Sequence, residues 1–147
     1  EATYGIDGTY KCGLLYNWYA VKYIEDNKST LLPNGWHVPT INEWNSLISQ
    51  IGDSSTVGTK LKAIDASITS NWPSGWNGTD DYGFNMIPSG MWAYSSDYLG
   101  VYGVAWTSSE DSNSKSFDII FDNTGSLRSI SRVQSDALSL RLVHTLS

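Results

Sequence analysis

The chain is 147 residues long with a formal net charge of −6, and only 16% of it is charged, which excludes the clustered Lys and Arg that a phosphate backbone requires. No apolar run approaches the ~20 residues of a membrane-spanning helix, and no basic segment leads into an apolar one as in a secretory signal. Cys12 is the only cysteine, so no internal disulfide forms and the fold stands on packing.

The hydrophobic share of 40% suits one domain over 1–147 with one sizeable core, and the start at Glu1 fits a piece excised from something longer. Seven tryptophans and nine tyrosines supply rigid apolar bulk to a chain rich in Gly, Ser, Asn and Asp. Residues 10–23 read as a strand running into a helix, ended by a charged loop over 25–28. Pro33-Asn34-Gly35 is a turn. In GWHVPTINEWNSLISQIG, Thr40 and Glu43 form a capping box. Ile41, Trp44, Leu47, Ile48 and Ile51 recur at helical spacing and Gly52 stops the run, which predicts a helix over 41–50. A second short helix is predicted over 57–64, with Val57, Leu61 and Ile64 on one face. Residues 65–81 are irregular. GFNMIPSGMW reads as a strand bent over 88–90, and VAWTSS as a buried strand. SFDIIF alternates Phe117, Ile119 and Phe121 inward as a half-exposed strand. DNTG is a hairpin turn from which 126–130 returns. LSLRLVH puts Leu138, Leu140 and Leu142 on one face. Helices first and an antiparallel sheet second make an α+β domain.

The pieces GLLYNWYAV, NGWHVPTINEWNSL, GFNMIPSG, AWTSSE and SLRLV, in that order, resemble the Fibrobacter succinogenes major paralogous domain over about residues 10–144. The resemblance implies the C-type lectin-like fold in the variety shared with formylglycine-generating enzymes. Two N-terminal helices would then pack on a small twisted antiparallel sheet, with the chain ends close together. It also implies that Trp18, Trp36, Trp44, Phe84 and Trp106 are core residues. Members of that family often carry one cysteine before the Pro of the turn and another in the terminal strand. Leu32 and Leu142 stand at those positions here, so the resemblance implies that they touch. A disulfide contributes roughly 2–4 kcal/mol and a buried leucine roughly 1.5–3 kcal/mol, so the exchange need not weaken the fold. It points to folding where thiols stay reduced, as for a phage protein assembled in bacterial cytoplasm.

Catalytic and metal chemistry find little purchase. His37 and His144 are the only histidines, and His37 in its turn reads as a partner for backbone groups. The formylglycine-generating relatives use paired cysteines with copper; Cys12 has no pair and reads as a small buried hydrophobe. Asp80 and Asp81, with Asp111, superficially resemble a calcium site but lack its companion motif and fall short of six to eight oxygens. The expectation is no enzyme, no metal and no cofactor.

The remaining pattern is recognition. Tyr94, Ser96, Asp97, Tyr98 and Tyr102, then Glu110, Asp111, Ser112, Asn113, Lys115 and Asp118, then Arg128, Ser129, Ser131 and Arg132 fall in or beside polar and aromatic stretches between predicted strands. This is the vocabulary of antibody loops. Tyr94, Tyr98 and Tyr102 would be anchors, with Arg128 and Arg132 bonding or stacking over a partner. The resemblance implies a display role, as in variable proteins of diversity-generating retroelements, whose substitutions concentrate near the C-terminus. The expected partner is a cell-surface protein or glycan, met from a virion or cell surface, with oligomerisation adding avidity. The alternative is an exported bacterial surface domain, structural or adhesive, without a single ligand.

Overall fold

The structure, a computed structural model, describes residues 12–64, 72–94 and 98–146. The side chain of Asn17 accepts a hydrogen bond from the Ala20 amide at 3.0 Å, turning strand β1 (Tyr16–Asn17) into helix α1 (Trp18–Asp26). The expected charged loop over 25–28 is taken up by the last residues of α1 and the start of a single turn, α2 (Lys28–Leu31). The Trp36 amide then donates to the Pro33 carbonyl at 3.0 Å, closing the turn before β2 (Trp36–His37). Helix α3 (Ile41–Ile51) carries the full Thr40–Glu43 capping box, and Gly52 ends it at φ 101°. Helix α4 (Val57–Leu61) stops short of residue 64, because Lys62 leaves it to bridge Met86. Ile64 therefore faces solvent rather than the core.

Strands β3 (Gly103–Ser112), β4 (Lys115–Phe121) and β5 (Ser131–Val133) form an antiparallel sheet in that order. The β3–β4 register runs regularly from Gly103↔Phe121 to Trp106↔Asp118, then shifts before Glu110↔Ser116. At this bulge the Ser108 amide donates to the Pro39 carbonyl at 3.0 Å, and the Ser109 hydroxyl accepts the Ile41 amide at 3.0 Å. The irregularity thus docks the start of α3 onto the sheet. The expected terminal strand is divided: β6 (Ala137–Leu138) pairs with β1 and β7 (Val143–His144) with β2, both antiparallel. The pattern GFNMIPSGMW forms isolated bridges at Met86, Gly90 and Trp92 instead of a strand, and Pro88 has no amide to donate to a ladder.

Two apolar clusters cover the sheet. One gathers Trp18, Val21, Val38, Met91, Trp106, Ile120 and Leu138; the other gathers Trp44, Val57, Leu61, Trp72, Ile119 and Phe121. Adjacent Ile119 and Ile120 belong to different clusters, so β4 is covered on both faces and its half-exposed, alternating reading is corrected. Phe117, expected inward, is only half-buried. Trp18, Trp44 and Trp106 are core residues, and Phe84 stacks on Phe121 at 6.2 Å between centroids. Trp36 is not in the core; it is 40% exposed. Trp72, from the stretch read as irregular, is buried and donates its indole N–H to the Met86 carbonyl at 3.1 Å. Leu140 and Leu142 pack half-buried beside Leu138 on the first cluster, and Leu32 is half-buried at the end of α2. The protein is an α+β domain.

Candidate functional site

The segment after Met91 is shaped by one backbone pair. The Trp92 amide donates to the Ala137 carbonyl at 2.8 Å, and the Ala137 amide returns a bond at 3.0 Å. Met91 and Ala93 turn inward, so the indole between them is left 51% exposed. Ala137 also pairs with Asn17 of β1, which places Trp92, Ala137 and Asn17 in a row across one face. Tyr94 is 84% exposed. Tyr94 and Tyr98 sit at φ 51° and 47°, the left-handed region that bulky side chains avoid. The rings of Tyr98 and Tyr102 lie 5.8 Å apart and pack on the first cluster, so they support the loop rather than stand free. Ser96 and Asp97 lie outside the described residues.

The tip of the β3–β4 hairpin exposes Glu110, Asp111, Ser112, Asn113 and Lys115. Glu110 accepts from the Gln134 side-chain amide at 3.0 Å, and Asp111 from the Ser131 hydroxyl at 2.6 Å. The Gln134 backbone amide donates to the Ser114 carbonyl at 3.1 Å, and Asp136 to the Val133 carbonyl at 3.1 Å. That second bond closes the turn from β5 into β6, which links the hairpin tip to the Trp92 row. The structure therefore joins the tip residues to Ser131 and Gln134, and sets Trp92, with Tyr94 two residues on, against Ala137 in the strand into which that turn leads. No local signal marks Trp92 in the sequence, since Met91, Trp92 and Ala93 are all apolar and their buried–exposed–buried alternation comes from the pairing with Ala137.

The other expected contacts are corrected. Asp118 is 0% and Arg132 7% exposed; the Arg132 Nε meets Asp118 Oδ2 at 2.5 Å, and the Ile130 amide donates to Oδ1 at 3.1 Å. Asp118 lies within the doubly covered part of β4, and its burial raises the carboxyl pKa against the pull of Arg132. Neither side chain is free to meet a partner. Arg128 bridges Ile120, five residues along β4 from Lys115 and about 17 Å from the tip. Its Nε and a terminal nitrogen lie 2.9 and 2.5 Å from Asp122 Oδ2, while Asp122 Oδ1 accepts the Thr124 amide and hydroxyl at 2.8 and 2.6 Å. Burial pushes the Asp122 carboxyl up, but these bonds hold it below its ordinary value. Arg128 thus ties down the DNTG turn, and neighbouring Ser129 is exposed at that same distant end.

His37 Nε2 lies 2.6 Å from Glu43 Oε1, which is a structural role. His144 is exposed beside the Trp36 ring. Desolvation raises the Cys12 thiol pKa, which disfavours the reactive thiolate. Asp80 accepts the Asn85 amide at 2.7 Å, and Asp111 sits away from it on β3. Among the described residues, no group of three or more His, Cys, Asp or Glu is placed to hold a metal ion, and no helix is long and apolar enough to cross a membrane. No curated protein and no solved structure matches the chain. The family model described as the Fibrobacter succinogenes major domain matches residues 2–144, and by that near-complete match the chain belongs to the Fibrobacter succinogenes major domain family.

Proposed function

We propose that this domain is a non-enzymatic recognition module that meets a cell-surface protein with the face built from Trp92, Tyr94 and the hairpin tip. One observation carries the reading: two large aromatics two residues apart in the chain stand exposed, Tyr94 in a strained backbone conformation, on a frame braced by buried tryptophans and an ion pair. Exposed aromatics rimmed by Ser, Asn, Asp and Lys are the composition of interface hot spots, and stored strain concentrates at functional positions. The underlying fold is read as C-type lectin-like. Its support is the pairing of N-terminal β1 and β2 with C-terminal β6 and β7, and helices packed against a three-stranded sheet. The same reading makes it a variable protein of a phage or diversity-generating retroelement, folded under reducing conditions. A neighbouring reverse transcriptase and a template repeat of the 3′ end of the gene would support that assignment.

A protein and glycan array probed with the full chain, followed by the Trp92→Ala/Tyr94→Ala variant, tests the reading. Binding to a protein hit should fall at least about thirtyfold, with the urea midpoint nearly unchanged. A hit that survives the double substitution would place recognition on another face.

A further inference from the structure

The turn that carries NGWH builds a second concavity on elements separate from the recognition face. A cleft of about 350 Å³ opens between α2 and the β2–β7 ladder, lined by Lys28, Ser29, Asn34, Trp36, His37 and Thr145 among others. That volume falls within the roughly 300–1,000 Å³ of small-molecule sites. We propose that this cleft binds the pyranose ring of a neutral saccharide.

The wall is preorganised. Trp36 is held by its backbone pairing to His144 and by its amide bond to Pro33. The His144 ring lies against one side of the indole at 5.4 Å, tilted by 52°. Gly35 makes this approach possible: it sits at φ 82°, and a Cβ there would meet His144 Nε2 at 2.7 Å. His37 is fixed by Glu43, itself locked into the capping box of α3. An aromatic ring held this firmly loses little conformational freedom when a ligand arrives.

The lining selects the ligand class. The Lys28 ammonium is bound by Glu25, whose other oxygen accepts the Val38 amide at 2.8 Å, and His37 is bound by Glu43. Both basic groups at the rim are paired with carboxylates, so the cleft does not favour an anion. Among the side chains lining the cleft, the hydrogen-bonding groups left free are the hydroxyls of Ser29 and Thr145, the amide of Asn34 and the indole N–H of Trp36. An exposed indole ringed by hydroxyls and an amide complements a sugar, which presents an apolar C–H face edged by hydroxyl groups.

The test is a ¹⁵N–¹H titration of the full chain with methyl β-D-glucopyranoside and methyl β-D-galactopyranoside, following the seven indole N–H signals. Methyl β-D-glucuronide and the open-chain polyol sorbitol serve as controls. One pyranoside should move the Trp36 indole and the Gly35 and Thr145 amides saturably, at millimolar concentration. Trp36→Ala should weaken this at least about tenfold, which is ~1.4 kcal/mol. Asn34→Ala and Ser29→Ala, on exposed side chains, should weaken it with all other signals in place, which keeps the test open if Trp36→Ala misfolds. Tighter binding of the glucuronide, equal shifts with sorbitol, shifts that persist in the variants, or no saturable shift with either pyranoside would overturn the proposal.

Discussion

Asp118 and Arg132 were read from the sequence as surface contacts and lie in the interior. Nothing local separates a charged residue that meets solvent from one that meets a partner across strands; the β4–β5 register decides it. The pair supports a sharp prediction. Arg132→Met leaves a buried carboxylate without its counter-ion and should cost about 3–5 kcal/mol in urea unfolding at neutral pH. Adding Asp118→Leu should recover most of that loss. Burial already raises the pKa of Asp118, and removing Arg132 should raise it further. A raised folded-state pKa gives stability that is present at low pH and lost as pH rises through it. The deficit of Arg132→Met should therefore shrink as the solution is acidified. An equal deficit at all pH values would mean that Asp118 is solvated.

Helix α3 was fully legible: a capping box, a 3.6-residue apolar period and a glycine stop all pointed one way, and the helix runs one residue past the expected end. The end of α4 was not legible, because it is set by a tertiary contact. The buried Lys62 ammonium donates to the Asp122 carbonyl at 2.8 Å and lies 5.3 Å from the Trp72 ring centroid, sixty and ten residues away in sequence. The strand running into a helix was legible at β1 and α1, whereas the short strands β2, β6 and β7 were missed or merged, since each is two residues long and exists through its partner. The capping box yields its own expectation. Thr40→Ala should cost about 1 kcal/mol. Burial pushes the Glu43 carboxyl up, but bonds from the Thr40 backbone, from His37 and from the Thr40 hydroxyl, which Thr40→Ala removes, hold it below its ordinary value. A lowered folded-state pKa gives stability present above the unfolded value and lost as pH falls toward the folded one. Acid titration of Thr40→Ala should show a smaller loss across that window than the parent. Identical acid profiles would remove Glu43 from the account.

At the scale of the molecule, the two clusters share one strand. Ile119 and Ile120 each face a different cluster, so Ile119→Ala and Ile120→Ala should each cost about 2–5 kcal/mol. Near- and far-ultraviolet circular dichroism should still report one coincident transition in both. Two separated transitions would mean that the clusters fold independently. The candidate face was half legible: its hairpin tip and Tyr94 stood out as polar and aromatic punctuation, whereas its union with Trp92 depends on the pairing with Ala137. The bulge in β3 has a consequence for that face. Between Trp106 and Glu110 the strand takes four steps while β4 takes two. This sets the phase of everything beyond it. Deleting a single residue there would invert the side-chain alternation of the tip, hiding groups now outward and baring those now inward, so this arm tolerates replacement of residues but not a change of length.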